Sequence, residues 1–137
     1  MKKHLKKLAA MALCCMLLVL TCSTSVLAAA SADSNLLRYI PTEMTVTSSK
    51  VLVKGYFVNM NSKATISNLE EVSMLINDDD EGCLASGDFG TLNRFTIKPQ
   101  GMVYQEMEFS NSYGLKTGTY VCESSVYADF SCTYTIS

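Results

Sequence analysis

The residues of this 137-residue sequence best equipped for chemistry are its acids. Asp78-Asp79-Asp80-Glu81 sets four carboxylates in a row, hard oxygen donors of the kind calcium takes, but without the spaced ligand pattern of an EF-hand loop. Gly82 follows, and the stretch reads as a polar hairpin turn. Glu106 and Glu108 stand two apart on a predicted strand, so they share a face and could pair as general acid and base; the same alternation puts them on a solvated outer face. The single histidine is His4, inside a segment predicted to be removed, which leaves the mature chain without the commonest general base and metal ligand. No Gly-x-Ser-x-Gly or comparable arrangement surrounds any serine. These patterns point away from an enzyme, and they imply no metal and no cofactor.

The removed segment is predicted from its order of residue types. Lys2, Lys3, Lys6 and Lys7 precede an apolar run from Leu8 to Leu20, and the small residues of Val26-Leu-Ala-Ala-Ala30-Ser-Ala32 follow, as in a secretory signal. A membrane anchor would need roughly 20 apolar residues, and Thr21-Cys-Ser-Thr-Ser25 interrupts the run. Residues 1–30 are therefore expected to be a cleaved signal helix, residues 31–40 a flexible leader, and residues 41–137 one domain. Cys22 is the alternative processing point, where a lipid would anchor the chain; Thr21 is a poor residue directly before such a cysteine. Beyond residue 30 seven basic residues face thirteen acids, a charge of −6. No basic patch is left to neutralise phosphates, so a nucleic-acid partner is not expected.

Alternation dominates the mature chain. Met44 to Thr47 reads as a strand, and Val51 to Met60 is apolar on both faces, as a central strand would be, with Gly55 marking a bulge or a close backbone approach. Pro41 reads as a break or an edge. Val72, Met74 and Ile76 share one face of the next strand, with Glu71, Ser73 and Asn77 on the other. Cys83 to Phe89 is a weaker strand, and Arg94 to Lys98 alternates cleanly. Pro99-Gln-Gly101 is a turn in which proline presets φ and glycine permits φ > 0. Val103, Met107 and Phe109 form an inner face, with Tyr104, Glu106 and Glu108 outside. No stretch after residue 35 sustains a helical stripe, and turn signals recur about every 8 to 12 residues. The expectation is an all-β sandwich of seven to eight antiparallel strands.

The last twenty-odd residues read as a β-hairpin. If the paired residues sum to 254, Tyr120 faces Tyr134, Cys122 faces Cys132, and the loop centres on Val126 to Ala128. Cys132, Phe130, Tyr134 and Ile136 then share one face. A directly opposed pair approaches to about 4.5 Å, close to disulfide geometry, and closing so short a loop would stabilise by about 2.5 to 3 kcal/mol. A Cys122–Cys132 disulfide is the expected bond; Cys83 joined to either, or three buried thiols, are the rival assignments.

Val53-Lys-Gly-Tyr-Phe-Val-Asn59, Met74-Leu-Ile-Asn-Asp-Asp-Asp-Glu-Gly82 and Ile97-Lys-Pro-Gln-Gly101 together resemble the SLAP and FxLyD-type immunoglobulin-like domains of secreted Gram-positive bacterial proteins. The resemblance covers roughly residues 44 to 109. Gly118-Thr-Tyr-Val-Cys122 is similar to the immunoglobulin strand in which a corner tyrosine stands two residues before a cysteine. The sequence departs from antibody-type domains in having no Trp and no partner cysteine between Val51 and Met60. The resemblance implies an immunoglobulin-like β-sandwich and an extracellular setting.

Function is then expected to be binding. Tyr104, Tyr113 and Tyr127 fall at predicted outward or loop positions, where an amphipathic ring can contact a protein or sugar. The partner would be an extracellular protein or a cell-envelope component, with the membrane met only during export and no feature setting an oligomeric state. The alternative is a secreted inhibitor or effector acting through an exposed loop, Glu123 to Phe130.

Overall fold

The computed structural model describes residues 37–92 and 95–137. The predicted signal segment with His4 and Cys22, residues 31–36 of the predicted leader, and Arg94 lie outside the described residues. Among the described residues eight strands follow one another: β1 (Leu37–Val46), β2 (Lys50–Asn59), β3 (Ile66–Asp78), β4 (Gly82–Gly90), β5 (Thr96–Ile97), β6 (Met102–Ser110), β7 (Gly118–Val121) and β8 (Val126–Ile136). Among the described residues there is no helix. All pairings are antiparallel and form two layers. Sheet A has the order β6-β2-β1-β7; in sheet B, β3 is flanked by β4 and β5 along one edge and by β8 along the other.

The period-two patterns of the sequence become the two faces of each sheet. Val72, Met74 and Ile76 of β3 are buried against Val51, Val53 and Phe57 of β2, while Glu71, Ser73 and Leu75 stay exposed. Phe57 is fully buried and touches both layers, its ring centroid 4.9 Å from Tyr39, 5.8 Å from Phe95 and 5.6 Å from Phe130. Such offset and edge contacts add to the area the rings bury.

Two predictions about the start of the domain need correction. Leu37, Tyr39 and Ile40, expected in a flexible leader, are buried in β1. Pro41 does not end that strand, but it does lie on an edge stretch, since β7 pairs only with Glu43 to Val46 of β1. It pairs with Gly55, and the register shifts between Pro41 and Glu43, so the missing N–H falls at a bulge where the ladder is already interrupted. Gly55 is the close approach that its position implied. A Cβ there would overlap the Ile40 carbonyl oxygen and lie 2.8 Å from Tyr39 Cζ. The bare backbone lets the Tyr39 ring pass beneath β2, where its hydroxyl donates to the Gln105 carbonyl at 2.7 Å on the next strand.

Asn59 and Asn61 tie the loops at one end of the sandwich. Asn59 Nδ2 donates to the carbonyls of Ala64, Ile97 and Lys98 at 2.7, 3.0 and 3.2 Å. Its Oδ1 accepts from Asn61 N–H, and Asn61 Oδ1 accepts from the N–H groups of Lys63 and Ala64. The predicted turn at Pro99 is present, with Gly101 N–H donating to the Lys98 carbonyl at 2.8 Å. The residue that takes the left-handed conformation is Gln100 (φ 56°), the third position of the turn, and not Gly101.

The predicted terminal hairpin is not formed. β7 pairs with β1 in sheet A and β8 pairs with β3 in sheet B. Both run toward the Asn59 end of the sandwich: β7 is antiparallel to β1 and so parallel in heading to β2, while β8 ends at Ser137, which exchanges backbone bonds with Thr65 beside β3's start. Two segments with one heading cannot form a hairpin. The chain instead crosses from one layer to the other at Cys122–Ser125. Pairing with the long β3 ladder buries Val126, Ala128, Phe130, Cys132, Tyr134 and Ile136 against the core, which a four-residue partner such as β7 would not do.

The disulfide expectation falls with the hairpin. Cys122 and Cys132 both point into the core, but no two of Cys83, Cys122 and Cys132 stand at disulfide distance. The stretch Glu123 to Phe130 is likewise not an exposed loop, since its second half is β8 with alternate residues buried.

Candidate functional site

Three β6 positions, Met102, Tyr104 and Glu106, face away from the core beside Val58, Tyr56 and Lys54 of β2. Next on the same face come Arg38, Ile40 and Glu43 of β1. The strands project these side chains outward because the inner positions carry the core residues Val53, Phe57, Val103 and Met107. The face divides along its length into an apolar and a charged half.

In the apolar half, Ile40 and Val58 are buried, although they point out from the sheet, and Tyr56 and Met60 pack on them. Tyr104 meets Tyr56 edge to face with centroids 5.5 Å apart. Tyr104 and Met102 lie uncovered above this layer, 48% and 58% exposed. In the charged half, Lys54 Nζ reaches Glu43 Oε1 at 2.8 Å and Lys50 Nζ reaches Glu108 Oε1 at 2.8 Å. Tyr104 joins the halves by donating its hydroxyl to Glu106 Oε1 at 2.7 Å. That hydrogen bond to a carboxylate pushes the Tyr104 phenol up to about 12, with lesser contributions from desolvation and the nearby negative charge. The Glu43 bond and charge likewise raise the Lys54 ammonium above its usual range. Glu106 and Glu108 thus stand outward with Tyr104 and Lys50 on their carboxylates, on an open sheet face.

The three tyrosines singled out from the sequence are not brought together. Tyr104 is on the outer face of sheet A. Tyr113, 48% exposed, lies in the connection between β6 and β7, its hydroxyl 3.2 Å from Ser86 Oγ on β4. Tyr127 lies on the outer face of sheet B opposite Asn77. Partial burial raises its phenol, with Asp129, Asp79 and Asp78 adding in that order. Of the three, Tyr104 alone packs on another ring among the described residues. The outer face of sheet B is otherwise polar apart from the exposed Leu75, with a shallow depression of about 160 Å3 lined by Ser73, Leu75, Asp129, Phe130 and Ser131. Cys83 lies half-buried on β4, its Sγ 3.5 Å from the Ala85 carbonyl.

Tyr56, Val58, Met60, Ile40 and Met102 were not singled out from the sequence. The signal was the two-sided apolarity of Val51 to Met60. A central strand of an open two-layer sandwich needs only one apolar face, so the second apolar face marked a patch. No family model, no curated protein and no solved structure matches this chain.

Proposed function

We propose that this chain is a secreted or cell-surface immunoglobulin-like module of the SLAP/FxLyD type, non-catalytic, which binds an extracellular protein or cell-envelope component through the outer face of sheet A. The strand neighbours support the fold assignment. β1-β2-β6 in one layer and β4-β3-β8 in the other follow the A-B-E and C′-C-F neighbours of immunoglobulin domains. Tyr120, two residues before Cys122, donates its hydroxyl to the Lys116 carbonyl at 2.7 Å, the bond of a tyrosine corner. The corner sits on β7, one layer away from its usual strand, and β2, the counterpart of strand B, carries no cysteine for an antibody-type inter-sheet disulfide.

The observation that carries the binding reading is the exposed Tyr104 and Met102 pair above the buried Ile40 and Val58 layer. Aromatic and methionine side chains are enriched at interface centres, and polar residues at their rims. Here Lys54, Glu43 and Glu106 supply the rim. The test is retention of the purified mature chain on isolated cell envelope and on immobilised extracellular proteins, compared with Tyr104→Ala and Met102→Ala. Both variants should fold normally and lose retention by tenfold or more. Undiminished retention of the double variant would refute the assigned face, and arrest of a specific hydrolase by the wild-type chain would move the reading to an inhibitor.

A further inference from the structure

Three buried oxygens without hydrogen-bond partners lie on two adjoining turns, away from the sheet A patch. Asp78 ends β3, opposite Gly82 on one side and Val126 on the other, and is 2% exposed. Its Oδ1 accepts the Asp80 N–H at 2.8 Å, which holds the carboxylate over the β3–β4 turn, while its Oδ2 is buried with no partner. The segment that enters β8 lies against this same turn. Asp79 N–H donates to the Ser125 carbonyl at 3.0 Å, and Val126 N–H donates to the Glu123 carbonyl at 2.9 Å. On that segment Ser125 Oγ and Glu123 Oε1 are also buried without a partner.

Buried polar atoms are normally paired, and a carboxylate oxygen is the costliest to leave bare. Two of the three are carboxylate oxygens, which only accept, and the third is a serine hydroxyl, which can accept or donate. The ion pairs Lys50–Glu108 and Lys54–Glu43 lie on the other sheet. A serine hydroxyl within reach of a carboxylate would donate to it, yet Ser125 does not bond Asp78 or Glu123. Oxygens set well over 90° apart around a calcium ion, each about 2.3 to 2.6 Å from it, stand apart by more than hydrogen-bonding distance. The exposed Asp79, Asp80 and Glu81 add negative field at the mouth.

We propose that Asp78, Glu123 and Ser125 hold a hard divalent cation, calcium, between the β3–β4 turn and the segment entering β8. Among the described residues no three His, Cys, Asp or Glu side chains converge. The protein therefore supplies two carboxylates and a hydroxyl, and backbone carbonyls and water complete the shell. So sparse a set belongs with the weak sites of extracellular modules, with dissociation constants of about 0.1 to 1 mM; the choice of calcium rests on the secreted reading above.

The test uses the full mature chain, its thermal unfolding followed with and without calcium chloride at about ten times that range. Tyrosine-sensitised terbium luminescence gives a second readout, because Tyr127 neighbours Val126 and its phenol feels Asp78 and Asp79. Calcium should raise Tm by roughly 4 to 8 °C and displace terbium, and equal magnesium should do neither. Asp78→Asn keeps the oxygen that caps Asp80 and should abolish both responses, as should Glu123→Gln, which lies at a half-exposed position and decides the matter should Asp78→Asn not fold. No calcium response in the wild type overturns the site, as does a response retained by either folded variant. Retention on cell envelope is a separate readout, so failure here is distinguishable from failure of the binding face.

Discussion

Gly55→Ala should be among the most damaging methyl additions in this domain. The new Cβ would overlap the Ile40 carbonyl oxygen and press the Tyr39 ring at 2.8 and 2.9 Å. The ring tip could swing away; the backbone oxygen belongs to the β1–β2 ladder and could not, so the two strands must separate locally. Overpacking of that kind costs about 1 to 3 kcal/mol. Displacing the ring also breaks the bonds from the buried Tyr39 hydroxyl to the Gln105 and Val53 carbonyls, for about 1 to 3 kcal/mol more. The sum, roughly 2 to 6 kcal/mol, is a large share of a small domain's stability of about 5 to 15 kcal/mol. Urea unfolding followed by circular dichroism and tyrosine fluorescence measures it. Tyr39→Phe separates the terms: by itself it should cost about 1 to 1.5 kcal/mol, and Gly55→Ala added to it should still cost at least the overpacking share, since the Ile40 oxygen stays in place. A Gly55→Ala variant within about 0.5 kcal/mol of wild type would refute the close-approach argument.

Asn59→Leu should lower stability by about 2 to 4 kcal/mol in the same assay, because it leaves the carbonyls of Ala64, Ile97 and Lys98 without their shared donor. Gln100→Gly should raise stability by about 0.5 to 1 kcal/mol, since Gln100 holds a left-handed φ that glycine adopts freely. Burial drives the Tyr39 phenol far above its usual value. Its contribution is complete below the unfolded value of about 10 and is lost as pH rises through the folded value, so stability should decline above pH about 10, less steeply in Tyr39→Phe. Alkaline titration by tyrosinate absorbance should find Tyr104 ionising near 12, and Glu106→Gln should return it toward the ordinary tyrosine value.

Much of the architecture was legible because alternation is a local property. Val72, Met74 and Ile76, and again Phe130, Cys132, Tyr134 and Ile136, declare their buried faces whichever strand they pair with. Gly55 and the Asp78 to Gly82 turn were readable for the same reason, since backbone clearance and turn chemistry need only near neighbours. Pro41 was half legible: a proline forbids a regular central ladder, but only the register of β1 against β2 shows that a bulge accommodates it. Of the proposed binding face, the sequence indicated Tyr104 as outward and missed Tyr56 and Met102 beside it, since neighbours across strands are decided by register.

Composition, turn spacing and the period of two were enough to determine an all-β architecture for the described residues and which residues of each strand turn inward. Tertiary structure alone decided the partners. The segment from Gly118 to Ile136 has the local pattern of a hairpin, yet Val126 to Ile136 buries more apolar surface along β3 than along β7, and that choice between layers separates Cys122 from Cys132. The same crossing sets Ser125 beside Asp79, a juxtaposition that no spacing in the sequence announces.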